Sequence, residues 1–310
     1  MEIIRVTGRP GRDYSGCAVA VGNFDSVHLG HQALVRCARE RAAELGIAAA
    51  VVTFEPPPLE YLSPDTAPAR LMLLRDKCSA LADMGVDRLY VLRFDSRLQR
   101  LTPEEFELLL SRTLSARHVV VGEGFRYAAR RAGSTDTLLE AGARLGFGVD
   151  VVGPVTYGGE RVSSTRVRNA LLAGDLPLVR ALLGRAYRIC GRVVPGARLG
   201  RALGFATANM RLRRRTVPLW GIYAVRALMA GRLLPGVASL GTRPTIALGS
   251  EPLLETHLFD FDADLYGRYL AVDFIAKLRD EERFPDLDTL VAQMREDARQ
   301  ARAILARDAA

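Results

Sequence analysis

The chain has 310 residues, 49% of them hydrophobic and 25% charged, which is about two domains' worth of sequence with enough apolar residues to form cores. The longest apolar run, 47–54, is far short of the roughly 20 residues of a membrane span, and 1–12 lack the apolar run of a signal peptide. The net charge of +8 favours phosphate-bearing partners without choosing between nucleotides and nucleic acids.

The first part of the chain alternates predicted strands with predicted helices. Thr102-Pro103-Glu104-Glu105 is a capping box with proline at the first helical position. Crossover helices over a parallel sheet produce such alternation, so we predict a doubly wound α/β domain. The predicted strands are 18–22, 47–54, 88–94, 118–122 and 149–152, and the predicted helices are 31–45, 70–84, 102–114 and 135–145.

The pattern changes after residue 184. Segments from 187 to 274 are short, punctuated by turns and rich in Val, Tyr, Phe and Thr, which predicts an antiparallel β-barrel or sandwich. Apolar residues at helical spacing over 287–305 predict a C-terminal helix. We therefore predict two domains, 1–184 and 185–310.

A segment between the first predicted strand and helix carries two histidines. It reads GNFDSVHLGH over 22–31, with His28 and His31 on one side of the helix start. Ligands of doubly wound sheets bind at the carboxyl ends of strands, where helix N-termini favour phosphate. Imidazole N–H groups there stabilise charge during phosphoryl transfer. We favour this interpretation over a metal site and over a packed or solvated pair.

A second candidate phosphate site reads VSSTRVR over 162–168. Ser163 or Ser164 suits the N-cap of a following helix. Arg166 and Arg168 then lie near its start, where the helix dipole disfavours positive charge. A bound anion resolves this conflict, and two solvated arginines are the alternative.

Three glycines recur every fourth residue in the second half, at Gly196, Gly200 and Gly204, with Arg198 and Arg201 between them. Glycines let backbone N–H groups approach a phosphate, and arginines neutralise its charge. A helix–helix interface or a surface loop is the alternative.

A glutamate occupies one face of a predicted strand. Leu253, Glu255, His257 and Phe259 share that face by their alternation. A carboxylate among apolar neighbours is desolvated, which raises its pKa toward that of a general base. A solvent-facing glutamate is the alternative.

The first half resembles the HxGH-type nucleotidylyltransferases, and more closely the FMN adenylyltransferase module of bacterial bifunctional riboflavin kinase/FAD synthetases. TFEP at 53–56, Leu71 with Lys77, and VGEGFRY at 121–127 lie where that family has further motifs. The resemblance implies transfer of AMP from ATP to FMN, with direct attack by the FMN phosphate and no protein nucleophile.

The resemblance also implies residue roles. His28 and His31 stabilise the triphosphate during transfer, and Ser164, Thr165 and Arg168 hold its β- and γ-phosphates. The other implied contacts are with the nucleotide, through Gly22, Asn23 and Phe24, and with the flavin, through Phe54, Pro56, Phe125 and Arg126.

Four positions depart from that family's pattern. Ser26 replaces glycine, Pro57 replaces histidine, and Gly124 replaces a polar residue that helps to hold substrate. Ala128 replaces a glycine at a position for which we expect a positive φ. We expect an active but altered or weakened adenylyltransferase.

The second half resembles riboflavin kinases. Their signature usually ends PTAN and reads ATAN over 206–209 here. The resemblance implies that Thr207 and Asn209 contact Mg²⁺ and the ATP phosphates, together with the glycine-rich segment before them. It also implies that Glu255 is the base that takes the proton from the riboflavin 5′-hydroxyl. Further similar blocks lie at 218–223, 241–245, 264–267 and 279–284.

These observations predict a bifunctional enzyme that makes FMN in its second domain and FAD in its first, with Mg²⁺ as cofactor and ATP as co-substrate. One alternative is a riboflavin kinase with a degenerate or altered nucleotidyltransferase domain. The other is a non-catalytic flavin- or nucleotide-binding regulator, which would not need a base at Glu255.

We expect riboflavin, FMN and ATP as small-molecule partners, FMN and FAD as product ligands, and no nucleic acid or membrane partner. Aromatic residues make up only 7% of the chain, and basic patches interleaved with aromatics are sparse. We expect a cytoplasmic protein, because four widely spaced cysteines favour a reduced protein. We also expect a monomer or a weak homo-oligomer. The cysteines are Cys17, Cys37, Cys78 and Cys190.

Overall fold

The computed structural model describes residues 1–6, 16–196, 204–212, 216–242 and 252–308. The chain forms two compact units, the first from 1–68 and 72–163 and the second from 69–71 and 164–310. The main division between the units, at 163/164, lies before the domain boundary predicted at 184/185. The predicted boundary concerns the functional domains and stays a prediction.

Six parallel strands form the sheet of the first unit, in the order β1-β4-β3-β2-β5-β6. All five pairings are parallel. The chain runs outward from β2 on one side and resumes at β5 on the other, so the strand order reverses between β2 and β5. The strands are β1 (Glu2–Val6), β2 (Cys17–Val21), β3 (Ala48–Glu55), β4 (Arg88–Arg93), β5 (Ala116–Gly122) and β6 (Gly148–Val152).

Helices cover both faces of this sheet, as its buried strands require. Phe106, Leu110 and Leu138 pack on one face, and Leu34 and Leu81 on the other. The helices are α1 (Leu29–Leu45), α2 (Pro58–Leu62), α3 (Leu74–Asp83), α4 (Ser96–Gln99), α5 (Pro103–Leu108) and α6 (Thr135–Leu145). A π-helical turn (Leu109–Thr113), a 3₁₀ turn (Ala129–Arg131) and a short hairpin of β7 (Thr156–Tyr157) and β8 (Glu160–Arg161) complete the unit.

The doubly wound α/β prediction is confirmed, with local differences. The predicted capping box forms, because Thr102 N–H donates to Glu105 Oε2 at 2.9 Å and Glu105 N–H donates to Thr102 Oγ1 at 3.3 Å. Strand β1 was not predicted. The helix predicted from 70 begins only at Leu74, where the Asp76 carboxylate accepts the Leu73 N–H at 3.1 Å.

The second unit contains a closed six-stranded antiparallel barrel, in the order β10-β13-β12-β11-β14-β9. The sequence left a barrel or a sandwich open, and closure of the ladder from β10 to β9 settles this for the barrel. Its strands are β9 (Tyr187–Val194), β10 (Thr207–Arg211), β11 (Gly221–Met229), β12 (Arg232–Thr242), β13 (Pro252–Leu258) and β14 (Tyr269–Arg279).

Three helices accompany the barrel: α7 (Ser164–Leu172), α8 (Leu176–Leu183) and α9 (Leu287–Asp308). The predicted C-terminal helix α9 buries Ala301 and Leu305 against Ala224 and Phe259. Arg279 of β14 forms an ion pair with the buried Asp297 of α9, with Nη2 2.8 Å from Oδ2. The barrel-plus-helix architecture is thus confirmed.

Candidate active sites

The two histidines of the first unit stack on each other at the start of α1. His28 is the N-cap, and its Nδ1 accepts the His31 N–H at 3.2 Å. The ring centroids are 3.7 Å apart with 14° between the planes. Because Nδ1 of His28 accepts, the proton of its neutral ring lies on Nε2. The sequence motif therefore forms a paired site after β2, where the strand order reverses.

Close packing fixes this pair. A Cβ at Gly30 would lie 3.1 Å from His28 Cε1, so the position accommodates only a hydrogen without moving the ring. Phe24 is fully buried at a φ of 49°, and its ring centroid lies 4.9 Å from that of His31. A Cβ added at Gly22 would lie 3.2 Å from the Phe24 ring. The buried Phe24 ring and the small Gly22 therefore pack together within the turn.

Lys77 anchors the same turn from behind. Its side chain is only 2% exposed, and Nζ donates to Asn23 O at 2.7 Å and to Thr53 Oγ1 at 2.9 Å. Thr53 Oγ1 also donates to Asn23 O at 3.0 Å. The ammonium group ties the end of β3 to the histidine-bearing turn. Sequence analysis noted Lys77 as a family position but did not place it in the site.

Two of the predicted flavin contacts pack on one core cluster. Phe54 and Phe125, both half-buried, contact the cluster on the α5–α6 face of the sheet. Phe54 meets Phe94 edge-on at 6.2 Å, and Phe125 stacks on Tyr127 at 5.7 Å. Pro56 is half-buried after β3, and Arg126 is exposed.

The segment after β5 is held by Tyr127. Its hydroxyl donates to Glu107 Oε1 at 2.6 Å and lies 3.1 Å from Thr137 Oγ1. The other carboxylate oxygen of Glu107, Oε2, accepts a hydrogen bond from Arg144 Nη2 at 2.7 Å. Burial and the Glu107 carboxylate raise the pKa of Tyr127, so its hydroxyl stays protonated and donating.

The same segment contains residues with a positive φ. Gly124 has a φ of 75°, and Ala128 has a φ of 66° with a ψ of −174°, a region that glycine normally occupies. The expectation of a positive φ at residue 128 is therefore correct, and alanine occupies this position here.

The second predicted phosphate site lies at the start of α7 in the second unit. Ser164 and Thr165 begin the helix. Arg168 Nε donates to Ala69 O at 2.7 Å, so one edge of its guanidinium is already engaged by the backbone. The phosphate roles of these three residues stay predictions.

The barrel brings together Gly196, Thr207 and Asn209. Asn209 is only 5% exposed, and its Nδ2 donates to Thr207 O at 3.2 Å and to Thr207 Oγ1 at 3.3 Å. A Cβ at Gly196 would lie 2.5 Å from Asn209 Nδ2, so a larger residue at this position would displace the Asn209 carboxamide. Asn209 Oδ1 has no hydrogen-bond partner in the described part of the chain.

Glu255 lies directly opposite Asn209 on one side and Ser239 on the other. These cross-strand neighbours are polar, so the apolar surroundings expected from the sequence are not found at those positions. A second carboxylate borders this face, because Glu281 Oε1 lies 3.4 Å from Ser239 Oγ. Partial desolvation raises the pKa of Glu281.

A cavity of about 310 Å³ opens beside Asn209. Thr207 and Asn209 line it with Thr256, whose side chain is fully buried. Glu255 is not among its lining residues. Sequence analysis missed Thr256, although a hydroxyl in phase with Leu254 and Leu258 marks a polar group on an apolar face. The remaining walls are Val193, Gly196, Ala206, Ala208, Leu258 and 261–266.

Some sequence predictions lie outside the described residues. Gly200 and Arg201 are among them, whereas Gly204 is described and has a φ of 82°. Within the described ranges, no group of three or more His, Cys, Asp or Glu side chains is arranged to hold a metal ion. Among those residues, no helix is long and apolar enough to cross a membrane.

Comparison with known proteins gives two family matches. A model described as FAD synthetase matches residues 11–166, and one described as riboflavin kinase matches residues 183–305.

Three curated relatives match nearly end to end, each named bifunctional riboflavin kinase/FMN adenylyltransferase. The Pseudomonas fluorescens protein is 46% identical over 99% of this chain and 98% of its own. The Escherichia coli K12 protein is 45% identical over 93% and 92%, and the Haemophilus influenzae protein is 42% identical over 98% and 99%.

A crystal structure named Macrolide-efflux Protein, from Streptococcus pneumoniae, superposes with a TM-score of 0.82. It is 30% identical, and the match covers 96% of this chain and 97% of that one.

Proposed function

The chain belongs to the family of bifunctional riboflavin kinases/FMN adenylyltransferases, and from that premise we propose how its own residues divide the two reactions. Riboflavin is phosphorylated by ATP to FMN, and FMN is then adenylylated by ATP to FAD. We assign the first reaction to the barrel and the second to the parallel-sheet unit.

In the kinase reaction, Glu255 acts as the general base. Its carboxylate takes the proton from the 5′-hydroxyl of riboflavin, whose oxygen then bonds to the γ-phosphorus of ATP while the bond to ADP breaks. The observation that carries this assignment is the register, which places Glu255 directly opposite Asn209. A base and a phosphate-site residue on adjacent strands bring the hydroxyl and the γ-phosphate together.

Thr207 and Asn209 suit a Mg²⁺ ion. The buried Asn209 Oδ1 has no partner among the described residues, and oxygen is the ligand type that Mg²⁺ prefers. Bound there, the ion supplies neutralisation of the charge on the ATP phosphates. Gly196 keeps this carboxamide in place by leaving room for it.

In the adenylylation reaction, His28 and His31 stabilise charge on the triphosphate. A phosphate oxygen of FMN attacks the α-phosphorus of ATP, and pyrophosphate leaves. The acceptor role of His28 Nδ1 directs the Nε2–H away from the helix backbone, where it can donate to a phosphoryl oxygen. Phe54, Pro56, Phe125 and Arg126 are proposed to contact the flavin.

The decisive experiment follows flavins by chromatography after the protein is mixed with riboflavin, Mg²⁺ and ATP. We expect FMN first and FAD afterwards. FMN without FAD would contradict the assigned adenylyltransferase activity, and the absence of both would contradict the whole proposal.

Glu255→Gln tests the base. It keeps the side-chain shape but removes the proton acceptor, so FMN formation should fall by about 100-fold or more. FAD formation from supplied FMN by the same variant is the control and should be unchanged. A near-normal kinase rate would overturn the role of Glu255.

A further inference from the structure

Residues 69–71 form an irregular segment between α2 and α3 that packs with the second unit. Because the segment belongs to no helix or strand, its backbone carbonyls need partners from outside regular secondary structure. Tyr187, in β9, donates its hydroxyl proton to Leu71 O at 2.9 Å. Arg168, in α7, donates its Nε–H to Ala69 O at 2.7 Å. One short segment thus links a strand of the barrel to the helix that carries a predicted phosphate contact.

The hydrogen bond from Tyr187 to this segment is buried. Tyr187 is 2% exposed, and Leu71 is fully buried. The Tyr187 ring packs against Phe274, with the ring centroids 6.1 Å apart, so the barrel core fixes the direction of the hydroxyl. A buried carbonyl that loses its donor is costly, because water cannot readily replace it. The barrel therefore holds residue 71 at a defined position.

The orientation of Arg168 depends on the position of the same segment. A guanidinium group has its N–H donors in one plane, and the bond from Nε to Ala69 O sets the direction of that plane. The donors on Nη1 and Nη2 are those with which Arg168 would hold the β- and γ-phosphates of ATP. Because small misplacements of positioning groups lower reaction rates, a displaced Ala69 carbonyl should impair this contact.

We propose that Tyr187 is a positioning residue for FAD formation, although it lies in a strand of the barrel. Its hydroxyl fixes residues 69–71, and this segment orients Arg168 toward the phosphates that leave as pyrophosphate. The inference rests on the proposed phosphate role of Arg168 in adenylylation. The barrel, to which the kinase reaction is assigned, thus contributes a residue to the other reaction.

Tyr187→Phe is the direct test, because it removes the hydroxyl and keeps the ring that packs against Phe274. We expect kcat/KM for ATP, in FAD formation from supplied FMN, to fall about 3- to 10-fold, the effect of one lost hydrogen bond. FMN formation from riboflavin should stay at the wild-type rate. An unchanged kcat/KM in FAD formation, or an equal loss in both reactions, would overturn the inference.

Tyr223 offers a matched control in the same barrel. It is fully buried, its ring centroid lies 5.2 Å from that of Phe274, and its hydroxyl donates to Trp220 O at 2.8 Å. Tyr223→Phe removes the same kind of bond, so both variants should show a similar decrease in unfolding temperature. FAD formation should be unchanged in Tyr223→Phe. An equal loss of FAD formation in both variants would show a general effect of barrel stability and would contradict positioning by Tyr187.

A double-mutant cycle tests whether Tyr187 acts through Arg168. Arg168→Ala alone should lower kcat/KM for ATP in FAD formation. Adding Tyr187→Phe should lower it little further, because the guanidinium group that the segment orients is gone. Additive losses would show that the hydroxyl acts by another route and would overturn the inference.

The same measurements separate this inference from the proposed function. No FAD from the wild type would contradict the proposed adenylyltransferase activity itself. Wild-type FAD formation by Arg168→Ala would contradict the phosphate role of Arg168 and, with it, the positioning role of Tyr187. Loss of FAD formation in Arg168→Ala with an unchanged rate in Tyr187→Phe would leave the proposed function intact and refute this inference alone.

Discussion

Lys77 is one of two lysines among 43 basic side chains, in a chain that otherwise uses arginine. Its ammonium group is buried between Asn23 O and Thr53 Oγ1. A planar guanidinium is larger and cannot direct its donors to both acceptors from the same position. The positions of the two acceptors therefore suit an ammonium group better than a guanidinium group.

We therefore expect Lys77→Arg to displace the turn that carries His28. FAD formation from FMN should fall about tenfold or more, because small misplacements of catalytic groups are costly. FMN formation should be unchanged. Arg100→Lys, at an exposed position of the same unit, should alter neither rate. Wild-type FAD formation by Lys77→Arg would remove Lys77 from the site.

Ala128 lies at a φ of 66° and a ψ of −174°, where a Cβ is strained. Ala128→Gly should stabilise the protein by about 1 kcal/mol, since relief of the strain exceeds the added freedom of the unfolded chain. Ala132, in the same segment, has a φ of −67°. Ala132→Gly should be neutral or destabilising, and thermal unfolding of both variants measures the difference. A destabilising Ala128→Gly would show that residue 128 is not strained.

At the scale of elements, Asp150 joins β6 to α1 and β5. Its Oδ2 accepts from Arg41 Nε at 2.7 Å and from Cys37 Sγ at 3.4 Å, and lies 3.0 Å from His118 Nε2. The hydrogen bond from Arg41 is the main cause of the lowered pKa of Asp150. The ionised Asp150 carboxylate therefore stabilises the folded state at pH values above the pKa that it has in the unfolded chain. This stabilisation is lost as the pH falls through the lower pKa that Asp150 has in the folded protein.

Asp150→Asn should therefore have a lower free energy of unfolding than the wild type near neutral pH. On acidification, its free energy of unfolding should decrease less than that of the wild type. Chemical unfolding between about pH 6 and about pH 3 measures both slopes. Glu44→Gln removes only the exposed partner of Arg41, so it should leave the slope nearly unchanged. Parallel slopes for Asp150→Asn and the wild type would contradict a stabilising role of this carboxylate.

Elements with local signals were predictable from sequence. Helix α6 has the predicted bounds because Ser134 caps its start and Gly146, at a φ of 78°, ends it. The π-helical turn after α5 has no comparable signal, and neither has the short edge strand β1. The His28–His31 pair was found because both residues lie within one turn, so their spacing alone brings them together.

Nonlocal placement was not predictable in the same way. The surroundings of the buried Thr256 depend on the register of β13 with β10 and β12, which places Ala208 and Ala238 opposite it. Register follows from pairing across the closed barrel and not from the strand itself. The same reason explains why Glu255 has polar neighbours where its own strand suggested apolar ones.

At the scale of the whole molecule, each unit has its own core, and the histidine pair and Glu255 lie in different units. The parallel sheet carries the histidine pair, and the barrel carries Glu255 with Asn209. FMN is the product of one reaction and the substrate of the other. If each set acts independently, a chain deficient in one reaction should be complemented by a chain deficient in the other.

We expect this complementation from a mixture of Glu255→Gln chains with chains carrying His28→Ala and His31→Ala. Given riboflavin and Mg-ATP, each variant alone should make far less FAD than the wild type, because the first makes little FMN and the second lacks the proposed histidines for adenylylation. The mixture should accumulate free FMN and then FAD, with a lag that shortens as the concentration of both chains increases. FMN that stays bound to protein in the mixture without conversion to FAD, when Glu255→Gln chains still adenylylate supplied FMN, would contradict transfer of FMN through solution.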